Sequence, residues 1–218
     1  MNFFGHAAVA SWAIGSHRSS PEQGLAAGDA ARVLGAMLPD FATMCGGRLA
    51  ASTDASIAAG IDLHHHTDGV FHRLAAVTGL MRELGDKLTH GGCARGPTRA
   101  VAHIGVELLL DGVLVDEQVY RDAYVEGLAH DASAVAWREP GDTDRFALLL
   151  ARLRAHGVPD DLRQPEAIAT RLHRMLAHRP LLAPNADDMR AIRRALIDHK
   201  PRIEVATDTV IRAVRAGL

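Results

Sequence analysis

One stretch of the sequence decides the fold, namely Ala102-His103-Ile104-Gly105-Val106-Glu107-Leu108-Leu109-Leu110-Asp111-Gly112-Val113-Leu114. Its only polar side chains are those of His103, Glu107 and Asp111, which follow one another at intervals of four residues. This spacing predicts an α-helix, because side chains four residues apart share one helix face. The apolar residues around them predict that the helix is buried, where an unpaired carboxylate would be strongly destabilising. We therefore expect either a metal ion or a structural network with arginine partners beside this face.

Helical periodicity runs through the rest of the chain as well. Gly and Pro mark the predicted breaks, among them Lys200-Pro201, and β-branched runs with alternating polarity are scarce. Residues 42–58 are predicted to form a small-residue loop or a short helix. The sequence thus predicts an all-α fold, a single-domain helical bundle over residues 1–218. Its clearest predicted helices are 74–88, 99–115, 143–156, 165–178, 187–199 and 202–216.

The composition excludes several classes of protein. With 218 residues, 48% of them hydrophobic, the chain can bury a sizeable core and is not globally disordered. The 24 Lys and Arg against 26 Asp and Glu argue against a dedicated nucleic-acid binder. No apolar run of about 18 residues is present to span a membrane. Two cysteines, and a start that lacks the basic lead-in of a secretory signal, favour the cytoplasm. The 13 histidines point to metal chemistry.

A second group of metal-ligand types lies in the run His64-His65-His66-Thr67-Asp68-Gly69-Val70-Phe71-His72. If this run is helical, His64, Asp68 and His72 share one side, and His65 and His66 point elsewhere. Imidazole and carboxylate groups at this spacing can converge on one divalent ion. The alternative is a polar helix start or a chance run of histidines.

Three single features complete the set of candidates. His6 lies in an apolar N-terminal run, and Asp40 follows Gly35-Ala36-Met37-Leu38-Pro39. A lone histidine in an apolar run is more often a hydrogen-bonded core residue than a ligand, but beside the two helices these residues gain weight. The adjacent pair His130-Asp131 is of the kind that HD-type phosphohydrolases use, although its surroundings predict a helix end.

Taken in order, these segments resemble the acyl carrier protein phosphodiesterase family, which removes 4′-phosphopantetheine from holo-acyl carrier protein. The family's opening Met-Asn-Phe-Leu-Ala-His is similar to residues 1–6, and its Gly-Asn-x-x-Ala-Asp-Phe is similar to residues 35–41. Its Gly-Ile-x-x-His-Arg-x-Ile-Asp is matched by Gly60-Ile61 with His64 and Asp68, and its Asp-x-x-x-Asp-His-Phe-Leu helix falls on residues 107–114. The likeness spans most of the chain and includes residues 175–180.

The resemblance implies an all-helical fold distantly related to HD-type phosphohydrolases. It also implies a divalent metal, with manganese expected first; iron, nickel and zinc are also compatible with mixed nitrogen and oxygen ligands. The implied metal ligands are His6, Asp40, His64, Asp68 and Asp111. In the resulting mechanism Glu107 or Asp111 accepts a proton from water, and His65 or His103 protonates the leaving oxygen.

The sequence departs from the family pattern at four positions. The family's Asn is Ala36, its Arg after the first histidine is His65, and a later Asp is His72. The His of Asp-His-Phe-Leu is Gly112, for which His72 or His103 could substitute in space.

Three functions therefore stand as expectations. The first is a metal-dependent phosphodiesterase acting on holo-acyl carrier protein, and the second is a phosphohydrolase of a nucleotide or another small phosphoester. The third is a non-catalytic helical binding protein with a decayed site, which Ala36 and Gly112 favour. For the first, basic residues of the C-terminal helices are expected to steer the acidic partner. They are Arg171, Arg174, Arg179, Arg190, Arg193 and Arg194.

Overall fold

The computed structural model describes residues 1–15 and 25–218, and this part of the chain is all-α, as predicted. A 3₁₀ turn at Asp160–Arg163 accompanies the helices. No helix in the described residues combines the length and the apolar character needed to cross a bilayer. The helices are α1 (Phe3–Gly15), α2 (Ala27–Cys45), α3 (Ala55–Phe71), α4 (Ala75–His90), α5 (Arg95–Leu114), α6 (Gln118–Ala129), α7 (Pro140–His156), α8 (Pro165–Leu176) and α9 (Ala186–Gly217).

The described part of the chain forms two compact units. Unit A comprises Asn2–Asp68 and Leu114–Pro159. Unit B comprises Gly69–Val113 and Asp160–Leu218, together with Met1. Each unit has buried apolar residues of its own, and the single domain expected over residues 1–218 stays a prediction.

The core of unit A is aromatic where its first helices meet. Helix α1 packs on α2 and α6, and α2 also packs on α7. The ring of Tyr124 lies 5.9 Å from that of Phe3 and 5.4 Å from that of Phe4, and Phe3 also contacts Phe41. Rings at these separations contribute stabilising contacts beyond the area they bury. The N-terminal run that contains His6 is therefore a core helix.

Helices α2 and α3 cross at very close range through two glycines. A Cβ on Gly35 would lie 2.3 Å from the carbonyl oxygen of Ile57, and one on Gly60 would lie 2.2 Å from that of Arg32. Only a residue without a side chain allows this approach. Helix α2 ends at Cys45 and α3 begins at Ala55, so the loop or short helix expected over residues 42–58 shrinks to the segment 46–54.

Unit B is organised along α9, on which α4 and α8 pack. The break predicted at Lys200-Pro201 is wrong, because α9 runs without interruption from Ala186 to Gly217. A proline inside a helix forfeits one backbone hydrogen bond and costs roughly 3 kcal/mol. One continuous buried stripe, apolar except for one histidine, offsets this loss: its members recur at alternating intervals of four and three residues on both sides of the proline. They are Ile192, Leu196, His199, Ile203, Ala206 and Val210, all buried.

Candidate metal centres

His64 lies on α3 and is held in one orientation by α2. Its side chain is buried, and its Nδ1 lies 2.9 Å from the carbonyl oxygen of Ala36. Because a carbonyl can only accept, Nδ1 carries the proton and Nε2 carries the lone pair. A histidine whose second nitrogen donates to a carbonyl is the usual arrangement of a metal ligand. The close crossing of α2 and α3 thus fixes the tautomer that a cation requires.

Burial also sets the protonation state of this ring. Desolvation, with the neighbouring His6 acting in the same direction, lowers the pKa of His64 from 6.5 to about 3. The imidazole is therefore neutral at pH 7. Only the neutral ring can coordinate an ion, so no proton has to be displaced from His64 when a metal binds.

His6 and Asp68 adjoin this histidine. The rings of His6 and His64 stack with centroids 3.7 Å apart. The Asp68 carboxylate lies 3.2 Å from Nε2 of His6 through Oδ1 and 3.6 Å from Nε2 of His64 through Oδ2. Burial alone would raise the pKa of Asp68, but hydrogen bonds and neighbouring positive charge, with the hydrogen bond from His6 first among them, together hold that pKa well below its usual value. An ionised carboxylate thus faces two imidazole rings.

Asp40 completes the group from α2. One ligand atom each from His6, Asp40 and His64 lie within 4.8 Å of one another. Two ligands on opposite sides of an ion at about 2.1 Å are about 4.2 Å apart, so small side-chain adjustments bring the three atoms into coordination range. Two imidazoles with one or two carboxylates fit manganese, iron, nickel or zinc. Four of the five predicted ligands, His6, Asp40, His64 and Asp68, are therefore together in unit A.

A groove is lined by residues of α2, of α3 and of the segment between them, among them Pro39 and His65, the chain neighbours of Asp40 and His64. It has a volume of about 510 Å³. Most of its lining is apolar, including Pro39 and Ile61, and its polar side chains are those of Ser52, Asp62 and His65. His65 is exposed, and its ring centroid lies 5.4 Å from that of His64. The predicted proton donor therefore faces a cavity of the size that binds small molecules.

The other predicted residues lie in unit B. The Nε2 atom of His103 lies 3.2 Å from Oε1 of Glu107, and these two residues group with His72. The amino group of Met1 lies 3.5 Å from the same oxygen. Asp111 is buried one turn after Glu107 on α5. Its role as a fifth ligand stays a prediction. The roles of Glu107 and His103 in proton transfer also stay predictions.

Of the departures from the family pattern, Gly112 has a packing reason. A Cβ at Gly112 would lie 2.2 Å from the carbonyl oxygen of Leu162, so a histidine cannot stand there without moving the backbone. Ala36 is buried at the crossing of α2 and α3, and its carbonyl holds His64. Close packing thus explains Gly112, which weakens its value as a sign of a decayed site.

Two relations between residues became visible only in the structure. The glycines Gly35 and Gly60 hold the ligands of unit A in register, and their signal was a pair of glycines inside helical patterns. His72 contacts Glu107, which no spacing within one helix could indicate. His130 ends α6 and Asp131 accepts hydrogen bonds from Ser133, so the predicted helix end is confirmed.

The arrangement in unit A pairs neutral imidazole with ionised carboxylate beside an open groove. Comparisons with known proteins found no matching family model, curated protein or solved structure. The chemistry of the residues themselves is therefore what points to a function.

Proposed function

We propose that this chain is a divalent-metal-dependent phosphoric diester hydrolase. Its metal ligands are His6, Asp40, His64 and Asp68. The observation that carries the proposal is the convergence of three ligand atoms within 4.8 Å beside a fourth, ionised ligand. The ordered motifs that resemble acyl carrier protein phosphodiesterases support a phosphodiester, with holo-acyl carrier protein as the first substrate to test.

The residues of unit A divide the chemical work. His6, Asp40, His64 and Asp68 would hold a divalent cation, which would supply activation of water near neutral pH and neutralisation of the charge on phosphoryl oxygens. Asp68 holds His6 through their contact of 3.2 Å, and the Ala36 carbonyl holds His64. His65, exposed at the groove, donates a proton to the leaving oxygen, a role in general acid catalysis that imidazole side chains often have.

The basic residues expected to attract an acidic carrier protein are only partly available. Arg171 pairs with Asp161 at 2.9 Å, Arg194 lies 3.6 Å from Asp198, and Arg190 pairs with Asp187. Three others, Arg174, Arg179 and Arg193, are exposed. Steering of an acidic partner by unit B thus rests mainly on these three, and it raises the association rate more than the affinity.

A small phosphoester is the second candidate substrate. The groove favours it, because about 510 Å³ suits a molecule of nucleotide size. Asp62 in the groove lining disfavours a ligand with a second negative group at that point.

The test is hydrolysis by the chelated and reloaded protein. The chain is stripped with a chelator, reloaded with Mn²⁺, Fe²⁺, Ni²⁺ or Zn²⁺, and incubated with holo-acyl carrier protein or with a panel of phosphodiesters and phosphomonoesters. Mass spectrometry measures the released product. We expect metal-dependent release, and a preference for holo-acyl carrier protein separates the first substrate from the second.

Matched variants connect the activity to the site. Asp68→Asn and Asp40→Asn are expected to abolish metal-dependent hydrolysis. His66→Ala is the control, because His66 is exposed on the same helix and belongs to neither ligand group. Wild-type turnover by the stripped protein or by Asp68→Asn would refute the proposal, and a chain that binds no metal and hydrolyses nothing would favour the non-catalytic alternative.

A further inference from the structure

We propose a second divalent-cation site, in unit B, formed by His72, His103 and Glu107 and open to solvent. One ligand atom from each of these residues lies within 4.8 Å of the other two. The site shares no residue with the ligand group of unit A and does not rest on the proposed activity. It assigns to Glu107 and His103 the role of ligands in place of proton transfer.

The geometry brings two imidazoles to one carboxylate oxygen. His103 and Glu107 are four residues apart on α5, and Nε2 of His103 lies 3.2 Å from Oε1 of Glu107. The Nε2 atom of His72 lies 3.5 Å from the same oxygen. The two rings are stacked, with centroids 4.8 Å apart and planes at 18°. Both reactive nitrogens therefore face the same point.

Local structure holds His72 in this position. It follows the last residue of α3, where the amide groups of Arg73 and Leu74 donate to the carbonyls of Val70 and Phe71 and turn the chain. The buried ring of Phe71 meets the His72 ring edge-on at 5.2 Å. This turn and this ring contact set the direction of the imidazole before any ion binds.

The distances are compatible with coordination of a cation as well as with hydrogen bonding. The contacts of Glu107, at 3.2 and 3.5 Å, lie at the long end of the range for nitrogen–oxygen hydrogen bonds. An ion at about 2.0–2.2 Å from each donor would occupy the space between the three atoms. Burial alone would raise the pKa of Glu107, but the hydrogen bond from His103 and the neighbouring positive charge together lower it.

Exposure indicates what kind of site this is. The side chain of Glu107 is 10% exposed, while those of His72 and His103 are 32% and 52% exposed. Two histidines and one glutamate with a solvent-facing side form the donor set of zinc sites that keep a position open for water or substrate. We therefore expect Zn²⁺ or Co²⁺ to bind with at least one solvent ligand.

Metal stoichiometry tests the site without reference to activity. The chelated full chain is dialysed against Zn²⁺, and bound zinc is measured by elemental analysis. We expect two ions per chain for the wild type, one for Glu107→Gln or His103→Ala, and one for Asp40→Asn. Combining His103→Ala with Asp40→Asn should leave none. The loss of affinity at each altered site should exceed the roughly 10–100-fold effect of changing an outer-shell residue.

The control variant is His90→Ala, since His90 is an exposed histidine of unit B outside the group. It should still bind two ions. His103 is exposed, so His103→Ala is expected to fold, which circular dichroism and thermal unfolding verify. The site is refuted if His103→Ala and Glu107→Gln keep the wild-type stoichiometry. It is also refuted if the wild type binds one ion that only Asp40→Asn removes, and in that case the site of unit A stands.

Discussion

Units A and B each gather two imidazoles and a carboxylate, but they bury them to different degrees. In unit A both histidines are almost wholly inside the protein, and burial keeps His64 neutral. In unit B the carboxylate is buried and the histidines reach solvent. The same donor chemistry thus gives a site whose geometry is tied to the core and another whose ligands can be exchanged or modified from outside.

The largest expected difference is in the response of stability to acid. The pKa of His64 in the folded chain is about 3, below the 6.5 of an ordinary imidazole, so between these values the unfolded chain binds a proton that the folded chain lacks. The free energy of unfolding must therefore fall as the pH drops through this window, by up to about 1.4 kcal/mol per pH unit for this one group. Urea unfolding of the chelated protein between pH 7 and pH 4 measures the slope.

Replacing His64 tests this assignment. His64→Gln should reduce the slope, while His66→Gln on the same helix should leave it unchanged. Part of the slope should remain, because burial also lowers the pKa of His199 in unit B to about 4, with the same sign. An undiminished slope in His64→Gln would show that burial of this ring does not control acid stability.

The next largest effect tests whether metal binding in the two units depends equally on the close crossing of α2 and α3. Gly60→Ala would place a methyl group 2.2 Å from the Arg32 carbonyl oxygen, so α2 and α3 must separate. We expect a loss of about 1–3 kcal/mol in the free energy of unfolding. If both proposed sites bind zinc, this variant should lose binding in unit A and keep it in unit B, as measured by metal analysis beside thermal unfolding.

Gly69→Ala is the matched control for this substitution. Gly69 lies on the same helix, and its added Cβ would meet only the Arg73 guanidinium at 3.7 Å. Alanine in a helix is favoured over glycine by about 0.5–1 kcal/mol, so stability should rise or stay level. Retention of zinc in unit A by Gly60→Ala would contradict the link between the crossing and the ligands.

The smallest expected effect is in the order of chemical modification. Diethylpyrocarbonate acylates imidazoles that it can reach, so His103 should react before the buried His6 and His64. Zn²⁺ should protect His103 and leave the exposed His90 reactive. Peptide mass spectrometry over time gives the order in which the histidines are acylated. Equal acylation rates for His64 and His103 would contradict the difference in exposure between the two groups.

The sequence predicted the helices and the candidate ligand residues better than it predicted which side chains contact one another. The four-residue spacings placed His64 with Asp68 and His103 with Glu107, because a helix face is a local property. His6 and Asp40 were predicted as ligands because of the family resemblance, and the structure places a ligand atom of each near His64. The contact of His72 with Glu107 depends on a turn after α3, and no periodicity encodes such a contact.

Proline and small residues were the least predictable. Pro201 has the local character of a helix break, yet α9 continues past it because the buried stripe extends on both sides of the proline. At Gly112 a substitution that resembled the loss of a functional side chain is explained by the carbonyl oxygen of Leu162, whose position cannot be read from the sequence. Tertiary packing decided each of these outcomes.

The contact between Gly112 and the Leu162 carbonyl constrains the order in which this sequence can change. Installing an imidazole at position 112 is sterically blocked while the 3₁₀ turn keeps its present path. The turn must first retreat, by substitutions that bring no catalytic benefit of their own. Substitutions at these two places are thus epistatic, and a directed-evolution experiment that varies α5 alone should never recover histidine at this position.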